Sequence, residues 1–128
     1  MNNKKYKYEY VAVYGSLKKG FHNHNLMKNS EFIGAGITEP KFSMINLGSF
    51  PGLHIGSDKI LVEVYRVDVE NDLPRLDALE GHPDWYRRTL ETIILTDGLV
   101  VGAWLYTFCN NSSQTQHNPI VKPTIVSW

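Results

Sequence analysis

Glu80 is the residue in this chain whose setting most resembles that of a proton-transfer group. It ends the stretch Leu73-Pro-Arg-Leu-Asp-Ala-Leu-Glu80, which reads as a helix capped by Asn71 or Asp72, with Pro74 suited to the first turn and Gly81 to the left-handed stop. Leu73, Leu76 and Glu80 stand at i, i+3 and i+7, so the carboxylate shares a face with leucines that must point at a core. Partial desolvation and the negative end of the helix dipole would both raise its pKa, and a glutamate tuned toward neutrality can take and return a proton. The alternative is a solvated Glu80 ion-paired to Arg87 or Arg88, and from this helix alone it is the default, because carboxylates are rarely buried.

A second candidate is the turn Tyr14-Gly15-Ser16-Leu17, directly after the strand-like run Tyr8 to Val13. A Gly-Ser pair there lets the backbone turn sharply and present successive N–H groups to a carboxylate or an oxyanion, although an isolated Gly-Ser is more often an ordinary turn. Glu63 is the main rival to Glu80 as an acid/base residue. His22 and His24 at i, i+2 match no familiar metal-ligand spacing, so no metal site is expected. Ser16 beside these histidines admits a serine-hydrolase alternative, but no Gly-x-Ser-x-Gly elbow supports it.

The elements that must hold these groups are mainly strands. Glu31 to Ile37, Lys41 to Leu47, Lys59 to Asp68, Arg88 to Leu95 and Leu99 to Phe108 have strand character, the last two joined by the hairpin signal Thr96-Asp97-Gly98. In Lys59 to Asp68, Leu61, Glu63 and Tyr65 share one face and Ile60, Val62 and Val64 the other; both look largely covered, as in a closed or sandwiched sheet. Phe50-Pro51-Gly52-Leu53 reads as a turn with an apolar rim, followed by a structural or surface His54, and His22 to Met27 as the start of a short helix. The Asn- and Ser-rich run 110–118 suggests a flexible linker, after which a tail ending in Trp128 packs back on the domain or on a partner.

The 128 residues suffice for one domain, expected over 1–128, with a core at about 8–108 and a polar linker and tail at 109–128. Thirteen basic and thirteen acidic residues cancel, which argues against nucleic acid or an anionic membrane as partner. A single cysteine, Cys109, rules out an internal disulfide framework and suits a reducing compartment. No apolar run approaches membrane-spanning length and the first residues lack a secretory core, so a soluble cytoplasmic protein is the default expectation.

Val-Ala-Val-Tyr-Gly-Ser-Leu-Lys-Lys-Gly, Asn23-His24, Phe-Pro-Gly-Leu, Glu-Val-Tyr, Leu-Asp-Ala-Leu-Glu-Gly and Tyr-Arg-Arg follow one another in this order between about Val11 and Phe108. This series resembles the gamma-glutamylcyclotransferase-like (AIG2-like) family, most closely its gamma-glutamylamine cyclotransferases. The resemblance implies an α+β fold, a small mixed β-barrel with flanking short helices and a cavity between the Tyr14 turn and an acidic residue. It implies that Tyr14, Gly15, Ser16 and Leu17 hold the α-carboxylate of a gamma-glutamyl group, that Glu80 is the general acid/base, and that Tyr86 and Tyr106 line the cavity. By the same resemblance Asn23 braces the turn, and Glu63 falls at a non-catalytic position. The implied reaction releases 5-oxoproline and a free amine from a small-molecule gamma-glutamyl substrate without metal or cofactor. Its alternative is a binding module that keeps the fold without catalysis. Val62, where relatives often carry glycine, and the Asn-rich tail depart from the pattern. Monomer and homodimer both remain open.

Overall fold

The computed structural model describes residues 7–21, 23–48, 50–108 and 125–128. The first strand, β1 (Tyr8–Val13), pairs antiparallel with β5 (Lys59–Asp68) on one side and parallel with β7 (Val100–Phe108) on the other. β7 pairs antiparallel with β6 (Tyr86–Leu95), β6 with β2 (Glu31–Thr38), and β2 with β5, so five strands of mixed direction close a barrel. The alternation of the sequence decides which side chains fill it. Ala12, Ile60, Val62, Val64, Ile93 and Leu105 are at most 1% exposed and share one cluster inside the barrel. Val62 therefore occupies interior volume that a glycine would leave empty.

The opposite face of β1 and β5 is also covered, but by helix. Val11, Val13, Tyr65 and Val67 pack with Leu73 and Leu76 of α1 (Leu73–Glu80) and with Met27 of a single 3-10 turn, His24–Met27. β5 is accordingly buried on both faces over most of its length, although Leu61 stays exposed. One expected detail of α1 differs. Neither Asn71 nor Asp72 supplies a side-chain cap: the Asp72 carboxylate lies 3.6 Å from Arg75, and Asn71 turns back to bond Asp68.

Phe50 to Leu53 is not simply a turn. Pro51 opens β4 (Pro51–Ile55), which pairs antiparallel with β3 (Phe42–Asn46) in a separate two-stranded hairpin, and Phe42 and Leu53 plug the barrel core. A proline at the first residue of a strand in a two-stranded sheet forfeits no ladder bond, which is why β4 tolerates what looked like a breaker. His54 on this strand stacks on Phe108 at 5.6 Å. At the far end of the chain, β8 (Ile125–Val126) pairs parallel with Lys59 and Ile60, and the ammonium of the buried Lys18 donates to Ser127 Oγ and the main-chain oxygen of Trp128. These last residues do pack back on the barrel. His22, Cys109 and the expected linker 110–118 lie outside the described residues. Among the described residues no helix is long and apolar enough to cross a membrane.

Candidate active site

The chain leaves β1 through Tyr14-Gly15-Ser16-Leu17, and local packing leaves this turn little freedom. A Cβ on Gly15 would stand 2.9 Å from both Cγ and Cδ of Pro51, so only a residue without a side chain lets the turn lie against the β3–β4 hairpin. The Lys18 N–H donates to the Gly15 carbonyl at 2.9 Å and the Asn23 N–H to the Ser16 carbonyl at 2.9 Å. The Asn23 side chain donates to Ser16 Oγ, also at 2.9 Å, and the Leu17 side chain is buried in the outer core. The N–H groups of Gly15, Ser16 and Leu17 donate to no acceptor among the described residues. Consecutive unpaired N–H groups at one fixed turn are suited to an anion.

Across from the turn, α1 stops where its sequence requires. Gly81 adopts φ 63° and ψ 39°, and the N–H groups of Gly81 and His82 close on Ala78 and Asp77. Glu80 is thereby held at the last helical position, facing inward. Its carboxyl has no hydrogen-bond or ion-pair partner among the described residues, and desolvation raises its pKa to about 7. The ion pair considered for Glu80 goes elsewhere. Arg88 Nε and Nη2 donate to the two oxygens of Asp77 at 2.7 and 3.1 Å, while Arg87 is exposed. Burial alone would push the Asp77 carboxyl up, but the hydrogen bonds from Arg88 and from the Tyr106 hydroxyl, with the Arg88 charge, hold it below its ordinary value.

A cavity of about 600 Å³ lies between turn and helix. All eight residues singled out in the sequence line it: Tyr14 to Leu17, Asn23, Glu80, Tyr86 and Tyr106. The three tyrosines form its floor, each with its hydroxyl committed: Tyr14 to the Tyr106 carbonyl, Tyr86 to the Pro51 carbonyl, both at 2.7 Å, and Tyr106 to Asp77 at 2.7 Å. Burial and, second to it, the neighbouring Glu80 charge raise the pKa of Tyr86, so its hydroxyl stays protonated as a donor. Sequence reasoning missed the mouth of the cavity, made by Phe50, Leu79 and Trp85. It also missed Asp77, whose position three residues before Glu80 put it on the same helical side and was the available signal.

The rival groups are placed elsewhere. Glu63 Oε1 accepts from the Lys19 N–H at 2.9 Å and the Tyr65 hydroxyl at 3.0 Å, and Glu63 does not line the cavity. His24 Nδ1 pairs with the Leu17 carbonyl, not with Ser16. Among the described residues no group of three His, Cys, Asp or Glu side chains could hold a metal ion.

Two consequences follow for stability. Because the folded Glu80 pKa stands above its ordinary 4.5, the folded state keeps a proton that the unfolded chain has released between pH 4.5 and 7. Stability therefore falls as pH rises through that window, by on the order of 3 kcal/mol. Glu80→Gln removes this loss: its melting temperature should exceed that of the native protein by roughly 5–10 °C at pH 8, and the gap should close at pH 5. In the second case, Asp77→Ala strips the partner from the part-buried Arg88 and from the Tyr106 hydroxyl. Denaturant unfolding should show a loss of about 2–4 kcal/mol.

A closed mixed barrel with a lone carboxyl across a cavity from a turn of unpaired N–H groups narrows the class of protein, and comparison identifies it. The profile of the family described as "Gamma-glutamyl cyclotransferase, AIG2-like" matches residues 11–125, and the chain belongs to this family. A Methanocaldococcus jannaschii protein with the provisional name gamma-glutamylcyclotransferase is 51% identical over 100 residues, covering 77% of this chain and 82% of the relative. The gamma-glutamylaminecyclotransferase of Rattus norvegicus is 37% identical over 90 residues, 62% of this chain and 60% of the relative. Among solved structures, an AIG2-like protein from Mus musculus superposes with a TM-score of 0.69 at 28% identity, covering 80% of this chain and 78% of that one.

Proposed function

We propose that this protein is a gamma-glutamylamine cyclotransferase that releases 5-oxoproline and a free amine, with Glu80 as general acid/base. The observation that carries the proposal is the partnerless, inward-facing Glu80 carboxyl with a pKa of about 7, opposite three unpaired N–H groups. The names of the rat and archaeal relatives agree with this reaction class.

In this mechanism the α-carboxylate of the gamma-glutamyl group binds the N–H groups of Gly15 to Leu17. The ionised Glu80 takes a proton from the α-ammonium, and the freed nitrogen attacks the γ-carbonyl carbon. The C–N bond to the leaving amine breaks as Glu80 returns a proton to the departing nitrogen, and the new C–N bond closes the five-membered lactam. The nucleophile belongs to the substrate, so catalysis by the protein consists of proton transfer and of holding the chain folded for an intramolecular reaction. Asn23 and the Gly15–Pro51 contact keep the turn in place, and the phenol floor keeps water from the reacting atoms.

The test is 5-oxoproline release, followed by mass spectrometry, from a panel of gamma-glutamyl amines and gamma-glutamyl amino acids. Turnover of at least one amine substrate is expected. Tight binding of these compounds with no release of 5-oxoproline would overturn the proposal in favour of a binding module.

A further inference from the structure

One part of the cavity lining differs in character from the turn and the carboxyl that would hold the gamma-glutamyl group. Phe50, Leu79 and Trp85 stand at the mouth, and they are 44%, 41% and 68% exposed. What sets these three apart from the other exposed apolar side chains is that they line one cavity, where a bound molecule can cover them.

Their placement is built into the backbone. Gly81 stops α1, and the N–H groups of Asp84 and Trp85 both return to the Gly81 carbonyl at 2.8 Å, which folds the chain back beside Glu80. The Trp85 ring lies over Gly81 so closely that a Cβ there would meet its Cδ1 at 2.9 Å. Leu79 precedes Glu80 on the helix, and Phe50 leads into Pro51, whose ring touches Gly15. The apolar mouth is thus fixed to both halves of the site, to the proton-transfer group and to the anion-binding turn.

Charge is the second half of the observation. Among the described residues lining the cavity there is no lysine, arginine, histidine or aspartate, and the one carboxyl is Glu80 itself. A leaving group carrying its own carboxylate, as an amino acid does, would find no counter-charge there. One carrying a second ammonium would find only the group needed for proton transfer. An apolar or aromatic amine would instead cover the three exposed side chains and remove their apolar surface from water.

We infer that the leaving group of the substrate is an uncharged apolar amine, preferably aromatic, seated on Phe50, Leu79 and Trp85. This inference rests on the cyclotransferase reading of the site and adds the chemistry of the half of the substrate that the gamma-glutamyl group does not define.

The experiment compares kcat/KM for 5-oxoproline release from gamma-glutamyl-benzylamide, gamma-glutamyl-isobutylamide, gamma-glutamyl-glycine and gamma-glutamyl-ε-lysine. Native protein, Trp85→Ala and Leu79→Ala are run side by side. The benzylamide should exceed both charged substrates by tenfold or more in the native protein. Trp85→Ala should lower the benzylamide value at least tenfold further than it lowers the ε-lysine value, and Leu79→Ala should shift the ratio the same way by a smaller factor. Trp85 lies largely in solvent, so its truncation leaves the fold in place, which circular dichroism verifies. Equal rates on all four substrates, a preference for a charged one, or a uniform loss in Trp85→Ala would overturn the inference while leaving the reaction class standing. No release from any of the four would remove both.

Discussion

Glu80→Gln lowers kcat/KM for 5-oxoproline release by at least about 10³-fold, within the range general acid/base catalysis supplies, and leaves the protein folded. Glutamine keeps the size and shape of the side chain but can neither accept the α-ammonium proton nor return one to the leaving nitrogen. Because the Glu80 carboxyl has no hydrogen-bond partner to lose among the described residues, the substitution disturbs chemistry and not a network. The native pH profile should show the same group. Only the ionised carboxylate can begin the reaction, so kcat/KM should rise with pH through a limb near the free-enzyme pKa of about 7. That limb should be missing from any residual rate of the variant. Activity of Glu80→Gln within tenfold of native would dismiss Glu80 as the proton carrier, and the rise in its melting temperature at alkaline pH would then be its only visible effect. Activity falling while stability rises is the pattern expected of a group whose desolvation costs the fold free energy for the sake of its pKa.

Gly15→Ala should rank second, at about a 10²-fold loss of kcat/KM with a destabilisation of about 1–3 kcal/mol. The new methyl group would meet two ring carbons of Pro51 at 2.9 Å, and a proline ring at the start of a paired strand cannot swing aside as a flexible side chain would. Either the turn or the hairpin must move, and both carry the site. The turn bears the unpaired N–H groups, while the Pro51 carbonyl holds the Tyr86 hydroxyl. A displacement of about 1 Å is enough to misplace an intramolecular nucleophile. If the turn holds the substrate carboxylate as proposed, the loss should appear in KM as well as kcat. Steady-state kinetics with urea unfolding on the same preparation separates the two contributions. Kinetics unchanged from native would show that the turn does not position the substrate.

Much of the barrel was legible because its strands carry local signals. The apolar run of β5, the Asp97-Gly98 hairpin between β6 and β7, and the leucine spacing of α1 with its Gly81 stop each lie in a few consecutive residues. The start of β4 was not legible. Pro51-Gly52 is ordinarily a chain breaker, and only the two-stranded setting of the hairpin makes it acceptable as strand. The covered faces of β5 pointed to a closed or sandwiched sheet and the family resemblance to a barrel, but the strands that close it were silent, since the parallel pairing of Val11 with Trp104 leaves no mark on the residues near either one.

The site divides the same way. Glu80 and the Tyr14 to Leu17 turn could be found because helix periodicity and a glycine after a strand are local, and family resemblance added Asn23, Tyr86 and Tyr106. The pairing of Arg88 was misassigned among the alternatives because Asp77 and Glu80 lie on one side of α1 and only the register of β6 against β7 decides which is reached. That register sets Arg88 opposite Tyr106, and Asp77 bonds both. Phe50 was read only as part of an apolar-rimmed turn, and its meeting with Leu79 and Trp85 at one cavity had no local signal, because three apolar residues in separate segments look unrelated until the fold brings them together.

The seam between β1 and β7 joins residues more than ninety positions apart, and the Tyr14 hydroxyl crosses the same seam to the Tyr106 carbonyl. Contacts of such separation incur the largest loop-closure entropy and tend to form late. The cavity floor is thus assembled by the event that closes the cylinder. A chain with its hairpins in place but the seam still open has Glu80 and the glycine turn without the surface that holds them to one substrate. Competence for turnover is consequently a property of the finished barrel alone, so partly folded chains emerging from synthesis or denaturation would leave gamma-glutamyl compounds untouched.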